Sequence, residues 1–381
     1  MKLEIEFIIF FKALLLMKQG GKQHWFLMMG MMVLLSCDIG YTQIPGKPGY
    51  EFSSLQKKMT GWVDSGYYPG VSIIVVKDNQ VLYEKYLGAY TPGTVAYIAS
   101  AGKWLAAAVI AAVVDEGRLS WNDKVKKWLP SITGPKGETT LRQLFSHTAG
   151  YPDYQPPGRQ RDGYQTLRQS VDSIIPLPAD TLPGAVFHYG GLAMQVAGRM
   201  AELATGKDWE TLFRDKIAKP LHMAQTHFTP VDTTPGHSPM IGGGARTSLH
   251  DYARFLSMIS NNGVFEGKRI LSLAAIKEMQ ADQVQGAMVG DNYVKTARAS
   301  LRKDIYGFGE WREEVNEKGE ATLISSPSWA GAYPWIDKKN NVYGFFLARV
   351  NVEKASAADF SAFYAIPVLP MLVREVLERK N

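Results

Sequence analysis

Residues 97–130 read YIASAGKWLAAAVIAAVVDEGRLSWNDKVKKWLP. The run 95–99 is apolar and strand-like, and residues 104–114 are apolar almost all round, the pattern of a buried helix. Asp115-Glu116-Gly117 closes that helix, with Gly117 as its C-terminal cap. Ser100 and Lys103 stand at the junction. Positions i and i+3 share a helix face, so the amine can reach the hydroxyl and help remove its proton. A serine hydroxyl is a weak nucleophile until a neighbouring base activates it. Amides at a helix N-terminus also favour developing negative charge. The same residues admit a plainer reading, in which Ser100 only caps a core helix.

Spacing alone does not choose, because Ser54/Lys57 and Ser300/Lys303 repeat it. Context separates the three. Ser54 opens a charged, amphipathic stretch that reads as a surface helix over 51–64. Ser300 sits among Lys295, Arg298, Arg302, Lys303 and Asp304, a solvated basic segment. Ser100 alone joins an apolar strand to an apolar helix.

The chain has 381 residues, 46% hydrophobic and 20% charged, enough for one large core or two small ones. A formal charge of +6 is mild, and its basic residues are scattered. The absence of arginine-rich runs, zinc-finger spacing and aromatic-basic alternation points away from nucleic acid as a partner. Neither HExxH, an EF-hand loop, a phosphate-binding loop nor a dinucleotide glycine pattern is present.

The single cysteine, Cys37, excludes an intramolecular disulfide. It follows Lys18, Lys22 and an apolar stretch at 25–35, the order of a secretory signal. That stretch is shorter than the about 20 residues a membrane-spanning helix needs. Leu34-Leu35-Ser36-Cys37 resembles a bacterial lipobox, which implies cleavage before Cys37 and lipid on its sulfur; an ordinary signal peptide with an incidental cysteine is the alternative. The expected organisation is a signal over 1–37, with Met1 or Met17 as its start, a tether over 38–50 and one domain over 51–381. The product would be a periplasmic or cell-surface lipoprotein.

Within that domain, 71–76 (VSIIVV) and 81–86 (VLYEKY) flank a polar Lys77-Asp78-Asn79-Gln80, a hairpin signal. Residues 103–225 turn helical, with Gly and Pro punctuation. Strand-like segments return near 322–325, 332–336 and 342–350, and 357–379 reads as one C-terminal helix. Strands at both ends around a helical middle predict an α+β or α/β domain.

Five ordered blocks carry a resemblance: 97–130, quoted above; 140–152, TLRQLFSHTAGYP; 187–227, opening FHYGGLAMQVAGRM; 242–255, GGGARTSLHDYARF; and 329–339, WAGAYPWIDKK. In sequence order they resemble the serine β-lactamase and penicillin-binding-protein superfamily, in the class C-like branch that includes family VIII esterases. The resemblance implies an antiparallel sheet flanked by terminal helices, with a helical subdomain at roughly 103–225. It implies Ser100 as nucleophile, Lys103 beside it and Tyr189 as proton shuttle. A tyrosine ordinarily titrates near 10, so it needs a positive neighbour such as Lys103 to act near neutrality. The amides of Ser100 and Ala332 would form the oxyanion hole. An acyl-enzyme cleaved by water requires no metal or organic cofactor.

Two positions depart from the β-lactamase pattern. Gly191 stands where Tyr-x-Asn has asparagine, and Trp329 opens a Trp-Ala-Gly segment, ending at Gly331, where the family carries Lys-Thr-Gly or His-x-Gly. The lost groups normally recognise the amide and carboxylate of a lactam or peptide, so the implied substrate-binding residues are Trp329, Gly331 and Gly191. An exported carboxylesterase acting on a small ester or amide follows. A β-lactamase, DD-peptidase or D-amino-acid amidase, with Arg246 supplying the missing cation, is the alternative, and a non-catalytic sensor of cell-wall fragments is a third reading.

His147 invites a Ser-His-Asp reading. The pattern Gly-x-Ser-x-Gly fails at Ile98, and Gly236-His237-Ser238 fails at Met240. A structural hydrogen-bonding role near the pocket is expected instead, with Tyr151 and Tyr154 either lining that pocket or lying in a surface loop.

Overall fold

Asp78 and Asn79 both adopt positive φ, 51° and 58°, the handedness that suits a two-residue turn between right-twisted strands. They join β1 (Gly70–Lys77) to β2 (Gln80–Gly88) as an antiparallel hairpin. The computed structural model describes residues 49–152, 166–228, 240–291 and 302–379. The signal, Cys37, Ser300, Tyr154 and the Gly236–Ser238 tripeptide lie outside them.

A small antiparallel sheet has the order β3-β5-β4, where β3 is Val95–Tyr97, β4 His227–Phe228 and β5 Ala245–Ser248. The main sheet is completed by β6 (Trp311–Val315), β7 (Ala321–Ser325), β8 (Tyr333–Asp337) and β9 (Val342–Ala348). Its order is β6-β7-β8-β9-β1-β2, antiparallel throughout. β9 lies beside β1, with Val71 opposite Ala348 and Lys77 opposite Val342.

Both faces of this sheet are covered, which explains why β1 is apolar at nearly every position. Val71, Ile73 and Val75 point into one core with Phe346, while Ile74 and Val76 point into the other with Phe345 and Leu347. The first core is closed by α1 (Ser53–Asp64), which buries Leu55, Met59 and Trp62 at helical spacing, and by the C-terminal helix. The second holds α2 (Gly102–Asp115), every residue of which is buried from Gly102 to Val113. Around it pack α3 (Leu192–Thr205) and α4 (Leu249–Ser260), the latter capped by Ser248, whose Oγ accepts from the Asp251 amide.

Three expectations change in detail. The helix expected over 357–379 is broken into Ala362–Ala365 and α5 (Val368–Glu378), with a separate short helix, Val352–Ala357, ahead of it. Pro367 marks the last break, whereas Pro370 falls in the first turn of α5, where no intrahelical amide bond is lost. Within the helical stretch, Val186–Phe187 forms a parallel pair with Met288–Val289. β6, sequence WREEV, gives no strand signal because its charges suit a sheet edge, and its register shifts twice against β7.

Candidate active site

The site begins where β3 ends. Ala99 takes a left-handed φ of 43°, and residues Ala99–Ala101 make one 3-10 turn that feeds α2. Ser100 therefore sits one turn ahead of the helix proper. No side chain caps α2, whose N-cap residue is Ala101, so the capping reading of Ser100 falls. The turn is fastened from several sides. Ile98 donates its amide to the Ala245 carbonyl at 3.0 Å, and Tyr252 of α4 donates its hydroxyl to the Ala101 carbonyl at 2.7 Å. Ser326 donates to the carbonyls of Gly309 at 2.9 Å and Ser100 at 3.4 Å. Gly102 is a glycine because a β-carbon there would fall 2.8 Å from that of Ala245.

Lys103 lies one helical turn on, and only 1% of it is exposed. Its Nζ donates to Ser100 Oγ at 3.2 Å and to the Gly242 carbonyl at 2.5 Å. It also stands over the ring of Tyr189, 4.7 Å from the centroid, a cation–π arrangement. Ser100, Lys103 and Tyr189 are thus gathered as the sequence reading expects. Gly242 was not anticipated in that role. A β-carbon at 242 would lie 3.0 Å from the Gly191 Cα, a tight approach, and in ordinary contact with the Lys103 ammonium. Gly191 is the N-cap residue of α3.

Three successive amides hold Tyr189 in place. His188 N–H donates to the His147 carbonyl at 2.8 Å, and Gly190 N–H to His147 Nδ1 at 3.4 Å. Between them, Tyr189 N–H donates to Asp291 Oδ2 at 2.7 Å. The other Asp291 oxygen lies 2.7 Å from His188 Nδ1. His147 is buried, with a left-handed φ of 59° and its ring 4.6 Å from that of Tyr189. Burial foremost, then the charges of Lys103 and His188, hold its pKa well below the ordinary histidine value. The ring is therefore neutral near neutrality. With Nδ1 accepting from Gly190, Nε2 carries the proton and donates to Tyr306 Oη at 3.2 Å. These bonds give His147 the structural role expected of it. Tyr151 is buried in the larger core and donates to the Lys136 carbonyl, so it is not a surface-loop residue.

On the other side of Ser100, Ala330 packs with Tyr97 and Ala99, bringing the Trp-Ala-Gly segment beside the 3-10 turn. Trp329 is 55% exposed. Gly331 has a φ of 110°, and a β-carbon there would lie 2.6 Å from Tyr68 Cε1. Its glycine is accordingly demanded by packing against Tyr68 as well as by backbone conformation. Ala332 is buried immediately ahead of β8. Arg246 lies on β5 opposite both Tyr97 and His227. Ser54 is on α1, away from these groups, with only part of its surface covered.

Comparison with known proteins identifies the family and the fold. The Beta-lactamase family profile matches residues 55–364. A crystal structure described as a "putative beta-lactamase from Bacteroides dorei DSM 17855" is 51% identical, with a TM-score of 0.82, covering 86% of this chain and 99% of that one. The "Putative D-alanyl-D-alanine carboxypeptidase" of Escherichia coli (strain K12) is 27% identical, the match covering 78% of this chain and 82% of the relative. The octameric penicillin-binding protein homologue of Pyrococcus abyssi, 20% identical, shares the fold at a TM-score of 0.61, over 84% of this chain and 80% of its own. With the family profile spanning most of the chain, this protein belongs to the β-lactamase family of serine hydrolases.

Proposed function

We propose that the protein is a carboxylesterase in which Ser100 is the nucleophile and Lys103 and Tyr189 handle its proton. The observation that carries the catalytic part is the Lys103 ammonium, within hydrogen-bond reach of Ser100 Oγ and over the face of Tyr189. A cation there favours the phenolate form of Tyr189, which can accept the hydroxyl proton. Ser100 Oγ attacks the ester carbonyl, and the amides of Ser100 and Ala332 receive the oxyanion. Collapse expels the alkoxide, which takes the proton back through Tyr189. Water then attacks the acyl-enzyme by the same route in reverse, releasing the acid and restoring Ser100.

The choice of esters rests on the other wall. Trp329 offers exposed apolar surface, and neither it nor Gly191 provides a cation or a side-chain amide. A substrate carboxylate buried there without a partner is costly. The names of the Escherichia coli and Bacteroides dorei relatives favour a second reading, D-alanyl-D-alanine carboxypeptidase or β-lactamase, with Arg246 as the cation. One purified sample decides between them, by comparing kcat/KM for short p-nitrophenyl esters, nitrocefin and a D-alanyl-D-alanine peptide. The ester should lead by at least about tenfold; preference for either of the others overturns the esterase reading. We further propose export and lipid anchoring at Cys37, supported by the charged, apolar and Leu-Leu-Ser-Cys order. Cys37→Ser should move from the membrane to the soluble fraction, and a wild type that is already soluble refutes the anchor.

A further inference from the structure

We propose that Asp291 is a positioning residue for Tyr189, holding its phenol in register with Lys103; this rests on the catalytic reading given above. Asp291 comes from far along the chain, yet its side chain is only 4% exposed and both oxygens are engaged. One accepts the Tyr189 amide and the other faces His188 Nδ1, each at 2.7 Å. Hydrogen bonds to a carboxylate are about twice as strong as neutral ones, so this is the firmest of the three ties on 188–190. The chain is delivered there by the parallel pairing of Val186–Phe187 with Met288–Val289. Gly290 extends it by donating its amide to the Phe187 carbonyl at 3.0 Å. At Gly290 a β-carbon would fall 2.8 Å from Val186 Cγ1, so a larger residue there would have to displace that side chain to keep 291 so near 189.

The tie is to backbone, one residue from the ring it controls. Without it the 188–190 segment loses its charged anchor, and the Tyr189 ring, still packed against His147, Tyr306 and Trp311, can shift relative to the Lys103 ammonium. A misplacement of about 1 Å in a catalytic group typically costs on the order of a hundredfold in rate. Ground-state substrate binding, which depends on the opposite wall, should be untouched.

The test is a double-mutant cycle read by single-turnover acylation with a p-nitrophenyl ester, alongside steady-state constants. Asp291→Ala should lower the acylation rate and kcat about ten- to a hundredfold, with KM within about twofold. Asp291→Asn keeps volume and one acceptor for the Tyr189 amide, so it should recover most of the loss; it also serves as the cycle variant if the alanine form does not fold. In a Tyr189→Phe background either substitution should cost almost nothing further, because the group being positioned is gone. Equal losses in both backgrounds, or a raised KM at unchanged kcat, overturn the proposal. A Tyr189→Phe enzyme with wild-type acylation overturns the assignment of Tyr189 itself, and this one with it.

Discussion

The two walls beside Ser100 are built on opposite plans. On the Lys103 side nearly every polar group is fastened: the amine by Ser100 and Gly242, the tyrosine segment by His147 and Asp291, His147 by Tyr306. On the Trp329 side the contacts are steric. An exposed indole stands two residues ahead of a glycine wedged against Tyr68, and the fastening is at the Ala330 backbone, whose carbonyl accepts from the Val350 amide and whose amide donates to Ser328 Oγ. On the proposed function the difference has a reason: groups that move protons must be held to fractions of an ångström, whereas a surface that accepts an acyl or alcohol chain needs shape and little else.

The largest effect should come from the residue both walls serve. Ser100→Ala should abolish fluorophosphonate labelling and lower kcat by at least about ten-thousandfold, while Ser54→Ala labels normally. Labelling that persists in Ser100→Ala would remove the basis for the comparison. Next in size is Gly331→Ala, which probes the steric wall through stability. Its β-carbon meets the Tyr68 ring at a backbone conformation unfavourable to alanine, so a loss of about 2–4 kcal/mol is expected by denaturant titration. An unchanged midpoint would show that this wall is loosely packed.

The smallest effect concerns pH and the polar wall. His147 keeps a depressed pKa when folded, chiefly by burial, whereas in the unfolded chain it titrates near 6.5. As pH falls through that value the unfolded chain takes up a proton that the native protein refuses, so stability present above about pH 6.5 is lost on acidification. His147→Asn suits the left-handed backbone and can still accept from Gly190. Its melting temperature should fall less steeply than that of the wild type between about pH 7 and pH 5. Parallel curves would mean that His147 is not held neutral by its surroundings.

Much of this was readable beforehand, and for local reasons. The i, i+3 spacing of Ser100 and Lys103 and the apolar run of α2 are short-range patterns, as is the polar turn at Asp78-Asn79. What escaped the sequence is long-range. Gly242 reaches Lys103 across 139 positions, Asp291 reaches Tyr189 across 102, and Ser326 reaches the Ser100 carbonyl across 226. Each of these residue types is common, and none carries a local signal of its partner. β6 was hidden because its edge position tolerates the charges that argue against a strand. Pro367 was the visible clue to the broken C-terminal helix, since proline cannot continue one from its interior.

The place of β9 beside β1 also orders events in time. Until residues 342–348 have been made, β1 lacks its neighbour on that side and one wall of the sheet cannot form. The turn bearing Ser100 likewise lacks Ser326 and Ala330 until late in synthesis. Such distant closures are slow, because loop entropy is lost before the contacts that reward it appear. A chain emerging in stages thus carries Ser100 and Lys103 long before the turn that joins them is braced, and that turn is completed only when the far end of the domain arrives.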